Sequence, residues 1–148
     1  MPEPASERPW VLDTSVAIAW FFSDEPHREQ AMAVRRQVRD APHRYLVPPL
    51  FHAEFVHVLA RKSGRDAGFV DTALRLWFRL GVRTLALSEA ALLRTGHWAC
   101  RGLSGYDATF LALAEDLGGR WLTADERAVT AAGSRHAKAL RSWTERAS

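Results

Sequence analysis

The sequence has 148 residues, of which 47% are hydrophobic and 25% are charged, a balance typical of a single globular domain. This composition excludes a collagen-like or intrinsically disordered chain, and the length allows one sizeable hydrophobic core rather than two. The 20 basic and 17 acidic residues leave a formal net charge of +3, and all but two of the basic residues are arginines. Arginine suits phosphate groups, so the composition permits a nucleic-acid partner, although a general preference for arginine codons accounts for it equally well.

The cellular compartment is indicated by cysteine usage and by the lengths of the apolar runs. Cys100 is the only cysteine, which excludes an intramolecular disulfide and a multi-cysteine zinc site and suits a reducing compartment. The longest apolar run, Val16–Phe22, is far shorter than the roughly 20 residues of a membrane-spanning helix. Residues 1–4 lack the basic start of a signal peptide. We therefore expect a cytoplasmic protein that is neither secreted nor membrane-spanning.

The N-terminal part of the chain predicts a leader, a strand and a short helix. Residues 1–9 are rich in proline and lack apolar periodicity, so we expect a flexible leader before a folded domain that spans residues 10–148. Trp10–Leu12 is a short apolar run that predicts the first strand. The next residues, Asp13–Ser15, favour a strand-to-helix turn, and a helix is predicted over Val16–Phe22.

The rest of the chain alternates between helices and strands. Helices are predicted where apolar residues recur every three or four positions after a capping residue or a proline, and strands where short apolar runs follow a turn. In chain order we predict a helix with Pro26 in its first turn that ends near Asp40, a strand at Tyr45–Val47, a helix between Pro49 and Ser63, a helix from Asp66 to Gly81, a strand at Val82–Leu87, helices at Ser88–Cys100 and Ser104–Leu117, a strand at Trp121–Thr123, a helix at Asp125–Ala132 and a weaker strand at His136–Leu140.

This order of elements predicts an α/β fold. Strands that alternate with helices imply right-handed crossovers and a mostly parallel sheet with helices on both faces. In such sheets, ligands bind outside the carboxyl ends of the strands. The residues that directly follow each strand are therefore the first candidates for a functional site.

Four carboxylates are placed where they could share one site. Asp13 directly follows the first strand and Asp125 comes shortly after the fourth, so both are expected at the same edge of the sheet. Asp107 lies in the first turn of its helix beside the buried face, and Glu54 falls on the inward half of its helix. An unpaired charge is costly in such places. Each acid also has a structural interpretation, because the three aspartates can serve helix starts and Glu54 can form a buried pair with an arginine such as Arg61.

If the four acids meet, cations must offset their mutual repulsion. Divalent ions that prefer carboxylate oxygens, Mg²⁺ or Mn²⁺, are favoured over Zn²⁺, because no Cys or His residues have the spacing of zinc ligands. Two such ions can activate a water molecule and stabilise the leaving oxygen in phosphodiester hydrolysis. The four carboxylates therefore predict a metal-dependent nuclease.

Four segments of the chain resemble the motifs of one family. In chain order they are Leu12–Val16, Glu54 with Val58 and Leu59, Ser104–Ala108, and Leu122–Arg127. Their order and their helix and strand contexts resemble PIN-domain ribonucleases of the VapC toxin type, over residues 10 to about 140. The resemblance implies a three-layer α/β/α fold with a central, mostly parallel sheet, and an acidic site that holds Mg²⁺ or Mn²⁺ and cleaves RNA.

The resemblance also implies roles for individual residues. The acids that match the family's catalytic and metal-binding positions are Asp13, Glu54, Asp107 and Asp125, and the hydroxyls that match its supporting positions are Ser15 and Thr123. His57 departs from the pattern, because the family often has an asparagine three residues after the glutamate. The hydrogen bonding around Glu54 is therefore open.

Family resemblance further implies partners besides the RNA substrate. Members typically act as toxins that a cognate antitoxin holds inactive, and they usually dimerise, so an antitoxin and a homodimer are expected. Trp20–Phe22, near the sheet edge, is a candidate surface for either partner, although tryptophan is more often part of a core.

We interpret the chain as the endoribonuclease toxin of a type II toxin–antitoxin pair. Asp13, Asp107 and Glu54 are expected to hold the principal ion, and Asp125 to complete the site or hold a second ion. The alternative is a catalytically inactive PIN-like module that binds RNA or a partner, which is favoured if His57 or the sheet edge prevents metal binding. The acids do not indicate which RNA is cut, because base choice depends on the shape of the surrounding loops.

Overall fold

The computed structural model describes residues 8–144 of the chain. The strands of this part are β1 (Trp10–Leu12), β2 (Tyr45–Val47), β3 (Arg83–Thr84), β4 (Arg120–Thr123) and β5 (Ala137–Ala139). The helices are α1 (Thr14–Ile18), α2 (Arg28–Asp40), α3 (Leu50–Lys62), α4 (Ala67–Leu80), α5 (Glu89–Cys100), α6 (Gly105–Asp116) and α7 (Glu126–Ala132). Two short 3₁₀ turns, Pro42–Arg44 and Leu140–Ser142, precede β2 and follow β5. No helix within residues 8–144 is both long enough and apolar enough to cross a membrane.

All five strands are parallel and form one sheet in the order β3-β2-β1-β4-β5. The central strand β1 pairs Trp10 with Tyr45 of β2 on one side and with Arg120 of β4 on the other. Every residue of β1 and β2 is buried. Complete burial is typical of a parallel sheet with helices on both faces, so the predicted α/β class is confirmed.

The apolar stripes of the helices supply the core on either side of the sheet. In α2 the buried residues are Ala31, Val34 and Val38, and in α3 they are Phe51, Phe55 and Leu59, in both cases at helical spacing. On α4, Trp77 is buried and stacks on Phe51 with ring centroids 4.4 Å apart. These contacts fix α3 and α4 against the rest of the fold.

The first predicted helix is placed too late in the chain and is too long. The structure has α1 at Thr14–Ile18 instead of Val16–Phe22, because the Asp13 side chain accepts a hydrogen bond from the Ser15 backbone N–H and starts the helix there. Pro26 lies before α2 rather than in its first turn, since His27 precedes Arg28 in a left-handed conformation with φ 58°.

The third predicted strand is also too long. Only Arg83–Thr84 forms β3, whereas Val82–Leu87 was predicted. This strand lies at the edge of the sheet, pairs with the short strand β2 alone and is exposed to solvent, so apolar burial does not extend it.

Two other predictions concern the surface of the domain. Trp20 is buried in the core and its indole N–H donates to the Ala31 carbonyl at 2.8 Å, so it does not belong to a partner surface.

Of the predicted leader, residues 1–7 lie outside the described residues. The Pro9 carbonyl accepts a hydrogen bond from the Arg120 N–H at 3.0 Å, which ties the start of β1 to β4.

The close approach of Gly119 to Pro9 allows a test of this packing. A methyl group on Gly119 would lie 2.2 Å from the Pro9 carbonyl oxygen, so we expect Gly119→Ala to lower the free energy of unfolding by about 2–3 kcal/mol. Gly96 lies within α5 with no atom close to an added methyl group, and Gly96→Ala should raise stability by up to about 1 kcal/mol. Urea unfolding measures both, and similar losses in the two variants would contradict the packing argument.

Candidate active site

Asp13 lies at the carboxyl end of the central strand and is held on two sides. One carboxylate oxygen accepts from the Ser15 N–H at 2.9 Å, and the other accepts from the indole N–H of Trp121 at 3.1 Å. Burial raises the pKa of Asp13, the hydrogen bonds from Ser15 and Trp121 lower it, and the charge of Asp125 raises it further, with a net increase. The carboxylate is thus fixed in orientation, and its ionisation costs free energy.

Ser15 and Thr123 connect the turns that follow β1 and β4. The Ser15 hydroxyl oxygen accepts from the Ala124 N–H at 3.0 Å and lies 3.5 Å from the Thr123 hydroxyl. In turn, the Thr123 hydroxyl oxygen accepts from the Asp125 N–H at 3.1 Å. These two hydroxyls therefore set the position of Asp125 relative to Asp13.

Asp125 is exposed and forms the N-cap of α7, where one carboxylate oxygen accepts from the Ala128 N–H at 3.0 Å. The Asp107 N–H donates to the Ser104 hydroxyl at 3.0 Å at the start of α6. The aspartates therefore do serve helix starts, Asp13 and Asp125 as N-caps and Asp107 in the first turn of α6. The Ser104 hydroxyl also interacts with the Asp107 carboxylate, whose remaining lone pairs can still meet a ligand.

Asp107 interacts electrostatically with all three other acids. Its pKa is raised to about 6, chiefly by burial and then by the charges of Asp13 and Asp125, while a hydrogen bond from the Ser104 hydroxyl lowers it. The hydrogen bond from Ser104 compensates only part of the free-energy cost of ionising this carboxyl group. It favours the arrival of a proton or a cation.

Glu54 faces the cluster from α3. Its pKa is raised to about 7, chiefly by burial and then by the charges of Asp13 and Asp107, against a smaller lowering by the Thr14 hydroxyl. Its Oε1 atom is buried without a partner in hydrogen-bonding geometry, so the Thr14 hydroxyl, which is likewise buried, lies beside Glu54 without forming a full hydrogen bond to Oε1. No neighbouring cation lowers the pKa of Glu54, so the alternative in which it pairs with Arg61 is wrong.

The structure thus brings the four predicted acids to one edge of the sheet. Asp13 and Asp107 are central, because each interacts electrostatically with the other and with both outer acids. Glu54 and Asp125 flank them, and the charges that act on Glu54 are those of Asp13 and Asp107. His57 is exposed on α3 and lines a pocket with Arg61 outside the four acids.

The donor set fits a divalent cation in kind. Within residues 8–144, no three Asp, Glu, His or Cys side chains lie close enough together to form a complete metal site. The acids nevertheless offer only carboxylate oxygens, which Mg²⁺ and Mn²⁺ prefer, and they repel one another. The buried, unpaired Oε1 of Glu54 is the atom whose desolvation a cation would compensate best.

Two residues at the site were missed by the sequence analysis. Trp121 contributes its indole N–H to Asp13, but it was assigned only to a strand, because strand order is needed to place β4 beside β1. Thr14 was assigned only to a turn, although it is one of two buried polar residues in the described part of the chain. The one available signal was its position directly after Asp13.

Comparison with known proteins identifies the family. The PIN domain model matches residues 10–134, which is most of the chain. The chain belongs to the PIN-domain family. Within it, the sequence is 35% identical over 124 residues to the VapC ribonuclease Mb0985 of Mycobacterium bovis and to ribonuclease VapC9 of Mycobacterium tuberculosis, with 79% of this chain and 86% of each relative covered.

Solved structures agree with the PIN-domain fold. PAE2754 from Pyrobaculum aerophilum superimposes with a TM-score of 0.67 at 18% identity and covers 93% of both chains. VapC20 of Mycobacterium tuberculosis, described as a sarcin–ricin loop cleaving toxin, superimposes with a TM-score of 0.59 at 18% identity over 75% of this chain and 85% of its own. The predicted PIN-like, VapC-type fold is therefore confirmed.

The raised pKa of Glu54 predicts a pH-dependent effect on the stability of this PIN domain. The pKa is 4.5 for the free side chain and about 7 in the fold, so the folded protein binds more protons between these values and loses stability as the pH rises through them. In metal-free buffer at pH 8, the free energy of unfolding of Glu54→Gln should exceed that of the wild type by about 1–2 kcal/mol. This value is reduced for solvent screening of a half-buried group. Below pH 4.5 the difference should vanish.

Denaturant unfolding over this pH range measures the effect. Glu29→Gln, at an exposed position in the first turn of α2, is the matched control and should change stability by less than about 0.5 kcal/mol at every pH. A Glu54→Gln variant less stable than the wild type at pH 8 would show that Glu54 is stabilised by a partner instead.

Proposed function

We propose that this protein is a metal-dependent endoribonuclease that acts as the toxin of a type II toxin–antitoxin pair. The observation that carries the proposal is the convergence of four carboxylates, from four different elements, at the carboxyl edge of a parallel sheet. The similarity to VapC ribonucleases supports RNA as the substrate.

Asp13, Asp107 and Glu54 would hold Mg²⁺ or Mn²⁺, and Asp125 would complete the site or hold a second ion. When bound, the ion would activate a water molecule and stabilise the charge that develops during phosphodiester hydrolysis. Asp13 is oriented for this role by the N–H groups of Ser15 and Trp121. The supporting hydroxyls of Ser15 and Thr123 would keep Asp125 in place as RNA binds at the edge.

The biological setting follows from the same relatives. We expect a cognate antitoxin, a homodimer and a cytoplasmic location, as the VapC resemblance implies. Leu92 and Leu93 on α5 are 62% and 61% exposed and offer apolar surface to a protein partner. The alternative, an inactive module that binds RNA or a partner without cutting, is favoured by the one observation that the described acids do not already form a complete metal site.

Metal binding should stabilise the fold, because an ion that binds only the folded state shifts the unfolding equilibrium. At an ion concentration about a hundredfold above its Kd, Mn²⁺ should add about 2–3 kcal/mol to the free energy of unfolding. Asp107→Asn removes one ligand and should lose most of this gain, whereas Asp116→Asn, at the other end of α6, should keep it. A melting temperature that does not respond to millimolar Mn²⁺ would count against a shared metal site.

The Asp107→Asn variant also tests cleavage. The change is nearly isosteric, leaves the backbone hydrogen bond to Ser104 intact and removes one charge from the cluster, so the fold should persist while RNA cleavage falls at least 100-fold. Cleavage of a labelled structured RNA in Mg²⁺, with and without excess chelator, measures this. Expression of the wild type without antitoxin should arrest bacterial growth, and Asp107→Asn should relieve the arrest whereas Asp116→Asn should not.

Two results would refute the nuclease proposal. Cleavage that continues in excess chelator would exclude the metal mechanism. Growth arrest that survives Asp107→Asn, together with undetectable cleavage by the purified wild type, would favour the inactive binding module.

A further inference from the structure

A basic pocket lies at the C-terminal end of α3, outside the carboxylate cluster. It has a volume of about 540 Å³ and is lined by His57, Ala60, Arg61, Gly64 and Arg65. His57, Arg61 and Arg65 are exposed, and no acidic residue lines the pocket. We call these five residues the α3 pocket. Its lining is suited to an anion.

The arginines of the α3 pocket are available to a ligand. In the described part of the chain, neither Arg61 nor Arg65 forms a salt bridge. The acids next to Arg65 are engaged elsewhere, because Asp66 caps α4 and Asp71, which lines a neighbouring pocket with Arg65, pairs with Arg75. Two guanidinium groups are therefore left without a charge partner beside one cavity.

Arg65 occupies a backbone conformation that an L side chain adopts only at a cost in free energy. Its φ of 65° lies in the left-handed region, and its N–H donates to the Ala60 carbonyl at 2.8 Å, so the turn after α3 requires this conformation. Glycine would adopt it without strain. An arginine where glycine would be unstrained points to a function for the arginine side chain, such as ligand binding.

Helical geometry aligns the α3 pocket with the acid cluster. His57 and Arg61 follow Glu54 by three and seven positions, so the three side chains form one stripe along α3. At 1.5 Å per residue, Arg61 lies about 10 Å from Glu54 along the helix axis. That distance is short enough for one RNA strand to contact both side chains.

We propose that the α3 pocket binds backbone phosphates of the RNA strand next to the bond that is cut. Arg61 and Arg65 would contact phosphate oxygens through their planar guanidinium groups, and His57 would contribute a ring N–H donor. These contacts position the strand without reading its bases. The proposal rests on the proposed function, and it gives His57 a role in substrate binding instead of in the hydrogen bonding around Glu54.

An acidic protein segment is the other polyanion that such a pocket could accept. RNA is favoured because the basic stripe continues directly into the carboxylates that are proposed to cleave RNA. A protein ligand would not need that continuity.

Binding can be measured without cleavage in the full-length Asp107→Asn protein. Fluorescence anisotropy with a labelled single-stranded RNA in Mg²⁺, at salt concentrations from 50 to 200 mM, gives both affinity and salt dependence. The double variant Arg61→Ala/Arg65→Ala should bind RNA about tenfold more weakly. The slope of log K against log salt concentration should also become less steep by about 1–2. The control, Arg83→Ala, removes a charge at the start of the edge strand β3 and should change affinity less than about twofold.

Arg65→Gly separates the binding role from a structural one. It should keep or raise the melting temperature, because it relieves the left-handed strain, and it should still weaken RNA binding. The Arg61→Lys, Arg65→Lys pair should retain most of the salt slope, since the charges remain. A loss of affinity that appears only in variants with a lowered melting temperature would overturn the proposal.

The remaining outcomes distinguish this proposal from the proposed function. RNA binding by the double alanine variant that equals the parent protein would overturn the phosphate role while leaving the nuclease proposal intact. The double alanine variant could instead bind RNA normally and lose binding to a labelled oligoglutamate peptide. That result would assign the α3 pocket to an acidic protein segment and overturn the RNA proposal. If neither the Asp107→Asn protein nor the wild type binds RNA, both the phosphate-binding proposal and the nuclease proposal fail.

Discussion

The parallel pairing of β1 with β4 is the constraint on which the site depends. The register sets Leu12 opposite Leu122, and the ladder continues one step further, with the Asp13 N–H donating to the Leu122 carbonyl at 2.9 Å. Because parallel strands end at the same edge, the turn after β1 must lie against the turn after β4. The hydrogen bonds of Ser15 and Thr123 then lock the two turns together.

This arrangement places like charges together and makes the site electrostatically costly. Burial and mutual repulsion raise the pKa values of Asp13, Glu54 and Asp107, so the ionised cluster destabilises the fold. The starts of α6 and α7 point to the same edge and favour negative charge there. That compensation is partial, and a bound cation is the natural means of completing it.

Helix α3 has a buried face and an adjoining stripe, and the stripe carries residues with two different proposed roles. Its buried face, with Phe51, Phe55 and Leu59, anchors it in the core. Glu54 lies at the border of that face and reaches the acid cluster, and burial is the largest cause of its raised pKa. The exposed stripe beyond it carries His57 and Arg61 into the α3 pocket. The rigidity of a well-anchored helix therefore fixes the distance between an acid that is proposed to bind metal and the cations that are proposed to bind RNA.

The sequence by itself determined the features that depend on neighbouring residues. The caps formed by Asp66, Ser88 and Ser104, and the end of α4 at Gly81, are local hydrogen-bonding and backbone preferences, and they were predicted correctly. The alternation of helices and strands and the four acids were likewise recognisable from patterns and motif spacing.

Tertiary structure alone decided which distant residues meet. Strand order places Trp121 beside Asp13, although the two are 108 positions apart, and no local pattern encodes that contact. The burial of Thr14 and of Glu54 Oε1 depends on how α1 packs against α3, and the short β3 reflects its place at the sheet edge. Local preferences act over one turn of chain, whereas the energies of burial and of charge repulsion are set only when separate elements pack together.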